Sequence, residues 1–157
     1  MSATLDLVRT AVVALRARGF TLAVAESLTG GALASAIVEV SGVSDVFRGG
    51  AVSYATDVKS SVLGVSEERL AQTGPVDREV ALEMARGACR LFRADVAMAT
   101  TGVAGPGPSD GHPAGTVWVA LSGKIGEEAV EFHFEGGRAQ VRACAVEAAL
   151  SLLHSRI

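Results

Sequence analysis

The stretch FTLAVAESLTGG, residues 20–31, decides how the chain is read. Phe20–Ala25 is short and almost continuously apolar, the pattern of a strand buried on both faces. Glu26, Ser27 and Thr29 then gather small polar groups beside Gly30 and Gly31. A turn needs one glycine, so two glycines with an acid and two hydroxyls ask for a further reason. Beyond them, residues 32–40 return to helical spacing through Leu33, Ile37 and Val40. A buried strand running through a polar turn into a helix opens a strand–helix–strand unit.

Working outward, residues 4–18 place Leu5, Val8, Val12 and Leu15 at helical intervals, with Gly19 as a stop. After the central stretch, SGVSDVFRGG reads as a loop and residues 51–55 as a second strand. DVKSSVLG and SEERLAQTG read as short helices, each closed by a glycine. Asp77 is the expected N-cap of a long helix reaching Phe92, with Val80, Met84, Ala88 and Leu91 on one face. Residues 94–100 form a third strand, and TGVAGPGPSDGHPAG separates it from a fourth at 116–122. Residues 129–135 alternate Phe132 and Phe134 with Glu131, His133 and Glu135, as in a strand with one solvated face. A last helix spans 139–154 and turns Val141, Val146, Leu150 and Leu153 inward. Strand–helix–strand units early and a meander late predict an α/β fold, a three-layer α/β/α sandwich on a mixed sheet, in a single domain over 1–157.

Composition narrows the function classes. With 49% apolar and 20% charged residues among 157, the chain has the balance of a globular domain with a real core. A net charge of -3 and the absence of a basic stripe argue against nucleic acid as the partner. Aromatic residues are 4% of the chain, too few to build stacking platforms for single strands. No run approaches a membrane span, and the N-terminus reads as an amphipathic helix rather than a leader. Cys89 and Cys144 lie inside helical patterns beside apolar neighbours, so buried free thiols and a cytoplasmic location are expected. His112, His133 and His154 lack metal-ligand spacing, and no metal or other cofactor is expected.

Loops leaving the carboxyl ends of parallel strands share one edge of an open α/β sheet, and sites form there. If the first three strands run parallel, three polar exits converge. The first carries Glu26, Ser27, Thr29, Gly30 and Gly31; the second carries Tyr54, Thr56, Asp57 and Lys59; the third carries Thr100, Thr101, Gly102 and Gly105. This inventory suits nucleophilic acyl chemistry. A serine hydroxyl needs a base, no histidine lies near these exits in sequence, and a lysine made neutral by burial serves instead. Tyr54 then relays the proton or holds the lysine. Amides opening the helix after Ser27, or that of Gly102, would hold an oxyanion. Ordinary structural roles stay open: Ser27 or Thr29 as an N-cap, Lys59 on the surface, Tyr54 at a core edge, the TGVAGPGP loop as a connection. That loop is no Walker motif, because no Gly-Lys-Ser/Thr follows. Asp110 and His112 read as loop polar groups. Arg138 and Arg142, one helical turn apart, either pin an anionic substrate or stand solvated near a helix start.

With these residues named, the chain resembles the CinA C-terminal domain family, whose enzymatic members are nicotinamide-nucleotide amidases. The resemblance spans nearly the whole chain. It rests on AESLTGG (25–31), GGAVSYATDVK (49–59), GPVDREVALEMARGA (74–88), TTGVAGPGP (100–108), AGTVWVAL (114–121) and GGRAQVRACAVEAAL (136–150). It implies deamidation of nicotinamide mononucleotide to nicotinate mononucleotide and ammonia, a step of pyridine-nucleotide salvage, by a metal-free acyl-enzyme route. The family's serine nucleophile falls on Ser27, its lysine base on Lys59, its associated tyrosine on Tyr54, and its third loop on Thr101 and the neighbouring glycines. The sequence departs from the family pattern at His112, where a lysine is usual, at Gly137, where an acid is common, and at Thr56, often asparagine. Longer members carry an additional N-terminal domain, and this chain is expected to be a stand-alone form. The expected partner is a small-molecule nucleotide, and domains of this kind often associate as homo-oligomers. The competing expectation is a nucleotide-sensing or partner-binding module that keeps the pocket without turnover.

Overall fold

Five strands make one mixed sheet in the order β2-β1-β3-β4-β5. In the computed structural model, which describes residues 2–157, the elements follow the chain as α1 (Ala3–Arg18), β1 (Leu22–Glu26), α2 (Ala32–Val38), β2 (Phe47–Val52), α3 (Thr56–Leu63), α4 (Glu67–Thr73), α5 (Arg78–Phe92), β3 (Val96–Gly102), β4 (Thr116–Gly123), β5 (Glu128–His133) and α6 (Arg138–Arg156). Strand β1 pairs in parallel with both β2 and β3, whereas β4 and β5 continue the sheet antiparallel. The chain leaves β1 toward one side and later returns to its other side, so the connections diverge at the carboxyl end of β1. That divergence opens a crevice there.

Alternation along the strands sorts the two layers. Leu22, Val24, Val96, Met98, Val117, Val119 and Leu121 face one side and pack under α1, α2 and α6. Ala23, Ala25, Ala97, Ala99 and Ala120 face the other, under α5 and the inward residues of α3 and α4. Large side chains fill the space beneath three helices, while the alanine face lets α5 lie close against the sheet. Close approach continues between the helices: a Cβ on Gly87 would sit 2.0 Å from the Leu63 carbonyl oxygen. Any larger residue there pushes α3, and therefore Lys59, away from α5.

Ends of elements follow their local chemistry. Gly19 closes α1 in a left-handed conformation (φ 69°), and the Asp77 side chain caps α5 by accepting from the Glu79 and Val80 amides at 2.9 and 3.2 Å. Several sequence expectations shift. The second strand runs over 47–52, not 51–55, because Gly50 lets this edge strand press against Val24, where a Cβ would meet the side chain at 2.5 Å. Two glycines that read as a loop are therefore strand residues. Tyr54 consequently lies beyond the strand, while Lys59 sits inside α3, the short helix expected at DVKSSVLG. Leu91 is 49% exposed rather than inward, since Phe92 turns toward the core at that end of α5. Both cysteines are half-buried. Among the described residues, no helix is long and apolar enough to cross a membrane.

Candidate active site

Strand β1 ends in Glu26, which is 1% exposed. Its carboxylate reaches forward over the following turn and accepts from the amides of Gly31 (3.2 Å), Leu33 (2.8 Å) and Ala34 (3.0 Å), capping α2. Gly30 (φ 57°) and Gly31 (φ 102°) take the backbone through conformations that side chains resist, which accounts for the pair. The amides at the start of α2 are thereby consumed, and the helix begins at residue 32 rather than directly after Ser27. Arg142 holds the turn from α6, its Nε and Nη2 donating to the carbonyls of Leu28 and Thr29, each at 2.9 Å. The hydroxyls of Thr29 and Thr100 share a 2.8 Å hydrogen bond, and the Ser27 amide donates to the Thr100 carbonyl at 3.0 Å. Ser27 thus sits on a loop tied to β3, α2 and α6.

Lys59 comes to this loop from the inner face of α3 and is 1% exposed. Its Nζ donates to Ser27 Oγ at 2.9 Å, to the Ser53 carbonyl at 2.7 Å and to the Tyr54 carbonyl at 3.3 Å. Burial pushes its pKa down from 10.5 to about 8, against the opposing influence of the Asp110 charge. A neutral amine has two N–H bonds and one lone pair. With both N–H bonds directed at the two carbonyls, the lone pair is left for the Ser27 hydroxyl. The arrangement can therefore take the proton of Ser27, which is the requirement for a serine nucleophile.

Ser27 and Lys59 open onto a cavity of about 420 Å³. Its walls include Leu28, Tyr54, Pro75, Val76 and Arg138, with Thr101–Asp110 supplying the side beyond β3. Arg138 bridges the rim, donating from Nη1 to the Gly105 carbonyl at 2.6 Å and from Nη2 to the Tyr54 hydroxyl at 3.2 Å. Thr101 lines the cavity, but its hydroxyl donates to the Pro75 carbonyl at 2.7 Å and so ties β3 to the opposite wall. Gly102 and Gly105 lie on the lining. The amides of Leu28, Ala104 and Gly105, also on the lining, donate to no internal acceptor among the described residues.

Of the residues singled out from sequence, Ser27, Tyr54, Lys59, Thr101, Gly102, Gly105 and Arg138 meet around this cavity. Glu26, Thr29, Gly30, Gly31 and Arg142 do not line it; they build the loop that carries Ser27. Arg138 and Arg142, read as a pair, are separated in role because α6 turns one to the rim and the other to the loop carbonyls. Tyr54 meets the lysine through its main-chain carbonyl, while the residue is 61% exposed and its hydroxyl is bonded to Arg138. Of the two roles expected of Tyr54, holding the lysine is the one its geometry provides, through the main-chain carbonyl. Sequence reading missed Ser53, whose carbonyl is the shortest acceptor for Lys59, and the place of Asp110 on the lining. Main-chain acceptors carry no residue-type signal; the Asp-Gly pair at 110–111 does mark a turn.

The family model of the CinA C-terminal domain matches residues 5–157. A CinA-like protein of Geobacter sulfurreducens is 43% identical over 154 residues, covering 97% of this chain and 37% of that one. A putative competence-damage inducible protein of Bacillus subtilis is 42% identical over 137 residues, covering 87% of this chain and 33% of that one. The chain spans about a third of the length of these curated relatives. Among solved structures, the competence/damage inducible protein CihA of Agrobacterium tumefaciens superposes with a TM-score of 0.94 at 36% identity, over 99% of this chain and 96% of that one. A CinA superfamily protein of Klebsiella pneumoniae gives 0.94 at 37% identity, over 99% and 98%. With the family model matched over residues 5–157 and these superpositions extending over 99% of its length, the chain belongs to the CinA C-terminal domain family.

Proposed function

We propose that the protein hydrolyses the carboxamide of nicotinamide mononucleotide to nicotinate mononucleotide and ammonia. The observation that carries this reading is the buried amine of Lys59, 2.9 Å from the Ser27 hydroxyl at the floor of a cavity of ligand size. Membership of a family whose enzymatic members are nicotinamide-nucleotide amidases supports it.

Ser27 Oγ attacks the carboxamide carbon as its proton passes to Lys59 Nζ. The developing oxyanion is met by lining amides without internal acceptors, those of Leu28, Ala104 and Gly105. When the tetrahedral intermediate collapses, the C–N bond breaks, Lys59 returns the proton to the leaving nitrogen, and ammonia departs. A nicotinoyl ester on Ser27 remains. Lys59 then takes a proton from water as the water oxygen attacks the ester carbon. The ester C–O bond breaks, Ser27 regains a proton from Lys59, and the acid product gives its remaining proton to solvent and leaves as the carboxylate. The Ser53 and Tyr54 carbonyls keep the amine aimed at Ser27 through both halves. At the rim, Arg138 meets the phosphate by exchanging its hold on Gly105 and Tyr54 for phosphate oxygens.

Incubating purified protein with nicotinamide mononucleotide should release ammonia and nicotinate mononucleotide in equal amounts. Release should vanish in Ser27→Ala while the variant still binds the mononucleotide. No product from the unaltered protein, or undiminished product from Ser27→Ala, defeats the reading.

A further inference from the structure

The lining of the cavity carries one acid, Asp110, and two bases, Lys59 and Arg138. Asp110 stands at the tip of a tight turn. Ser109 and His112 exchange main-chain hydrogen bonds of 3.0 and 2.9 Å, and Asp110 (φ 52°) and Gly111 (φ 80°) both take positive φ between them. An Asp-Gly pair suits such a turn because aspartate tolerates this conformation and glycine is free to adopt it. The Ser109 hydroxyl donates to one carboxylate oxygen at 3.2 Å. The tip lies over the opposite wall, near enough that a Cβ on Gly74 would be 4.0 Å from Asp110 Cβ. Asp110 forms no ion pair among the described residues.

A lone carboxylate facing this cavity works against its neighbour. Its charge favours the ammonium form of Lys59, the form unable to take a proton. A cation bound beside Asp110 cancels that influence and so favours the free amine.

We propose that Asp110 recognises the positive charge of a pyridinium ring, so that the cavity selects the oxidised, cationic mononucleotide over its neutral dihydropyridine form. This inference rests on the deamidase reading and narrows its substrate class. The two forms share the carboxamide, the ribose and the phosphate and differ in ring charge. Contacts to Ser27 or to lining amides meet groups that the two forms share, and the positive charge of Arg138 disfavours a cationic ring rather than selecting it. Asp110 separates them on charge, from the side of the cavity formed by Thr101–Asp110, while Pro75 and Val76 offer an apolar surface to the ring.

The test is binding without turnover. In a Ser27→Ala background, calorimetry should give oxidised mononucleotide about 10-fold tighter binding than reduced, a preference that shrinks as salt is raised. Adding Asp110→Asn should weaken the oxidised form by about 5- to 10-fold and leave the reduced form within about two-fold, whereas Asp110→Glu keeps most of the preference. Unchanged melting temperatures confirm that the loop variants fold. Equal binding of the two forms, or an Asp110→Asn effect shared by both, overturns this inference and leaves the deamidase reading standing. Failure of both forms to bind overturns the substrate reading and this inference together.

Discussion

The loops leaving β1 and β3 border the same cavity and are built on opposite terms. In the loop after β1, the Glu26 carboxylate takes three amides, Arg142 takes two carbonyls, and Thr29 is bonded to Thr100. Little is left unpaired there besides the Leu28 amide, since the Ser27 hydroxyl is bonded to Lys59. The loop after β3 is held at its ends, where Val103 and Gly115 make main-chain bonds, and at its Ser109–His112 turn. Between these points Ala104 and Gly105 keep free amides, and Asp110 keeps a free charge. One loop fixes the Ser27 hydroxyl in position; the other keeps donors and a charge unspent on the cavity lining. A reacting oxygen tolerates little displacement, whereas a binding wall profits from unspent groups.

The contrast is broken most completely by removing the reacting pair. Ser27→Ala and Lys59→Met should each lower the deamidation rate by about three orders of magnitude or more, read as ammonia release. Lys59→Met should at the same time raise stability. Depressing the lysine pKa from 10.5 to about 8 corresponds to about 3 kcal/mol at neutral pH, partly offset when two carbonyls lose their donor, so a net gain of about 1–2 kcal/mol is expected in denaturant melts. The pH dependence follows. Between about 8 and 10.5 the unfolded chain holds a proton on this lysine that the folded chain has lost, so stability from this group rises with pH through that window. Below about 8 the full penalty is present in the wild type, and the Met variant lacks the slope. Activity should likewise climb toward a plateau as pH passes about 8, because only the free amine accepts the Ser27 proton.

Next in size is the loop's own framework. Glu26→Ala strands three amides at the buried start of α2 and should cost about 3 kcal/mol, seen as a lowered melting midpoint together with reduced kcat. Arg142→Met releases two carbonyls of the Ser27 turn and should lower kcat by about 10-fold with KM little changed, because the guanidinium touches the loop and not the cavity. The open side answers differently. Arg138→Ala should raise KM for the mononucleotide by about 5- to 10-fold at nearly constant kcat, and should leave the phosphate-free riboside unaffected. An equal loss on both substrates would show Arg138 to be a strut between Gly105 and Tyr54 alone.

Much of this organisation is legible along the chain. The apolar run before Glu26, the helical spacing of Leu33 and Ile37, and the Asp77 cap all correspond to the elements found. The juxtaposition of Ser27 and Lys59 followed from placing the polar exits of parallel strands on one edge, and the pairing of β1 with β2 and β3 supplies that geometry. Misreadings cluster where a residue's type conceals its use. Gly49 and Gly50 look like a loop and serve an edge strand; Arg138 and Arg142 look like a pair and face different partners. Glu26 and Thr29 look like ligand contacts and are internal fastenings.

Sequence alone determined the class of the fold and the neighbourhood of its chemistry, because hydrophobic periodicity, caps and glycine punctuation are local properties of a chain. Tertiary structure alone decided which polar groups remained free. The burial that depresses the Lys59 pKa, the two carbonyls that aim its lone pair, and the unpaired charge of Asp110 come from residues distant in sequence meeting at one sheet edge. Solvation and hydrogen-bond saturation depend on those neighbours, and no local pattern specifies them.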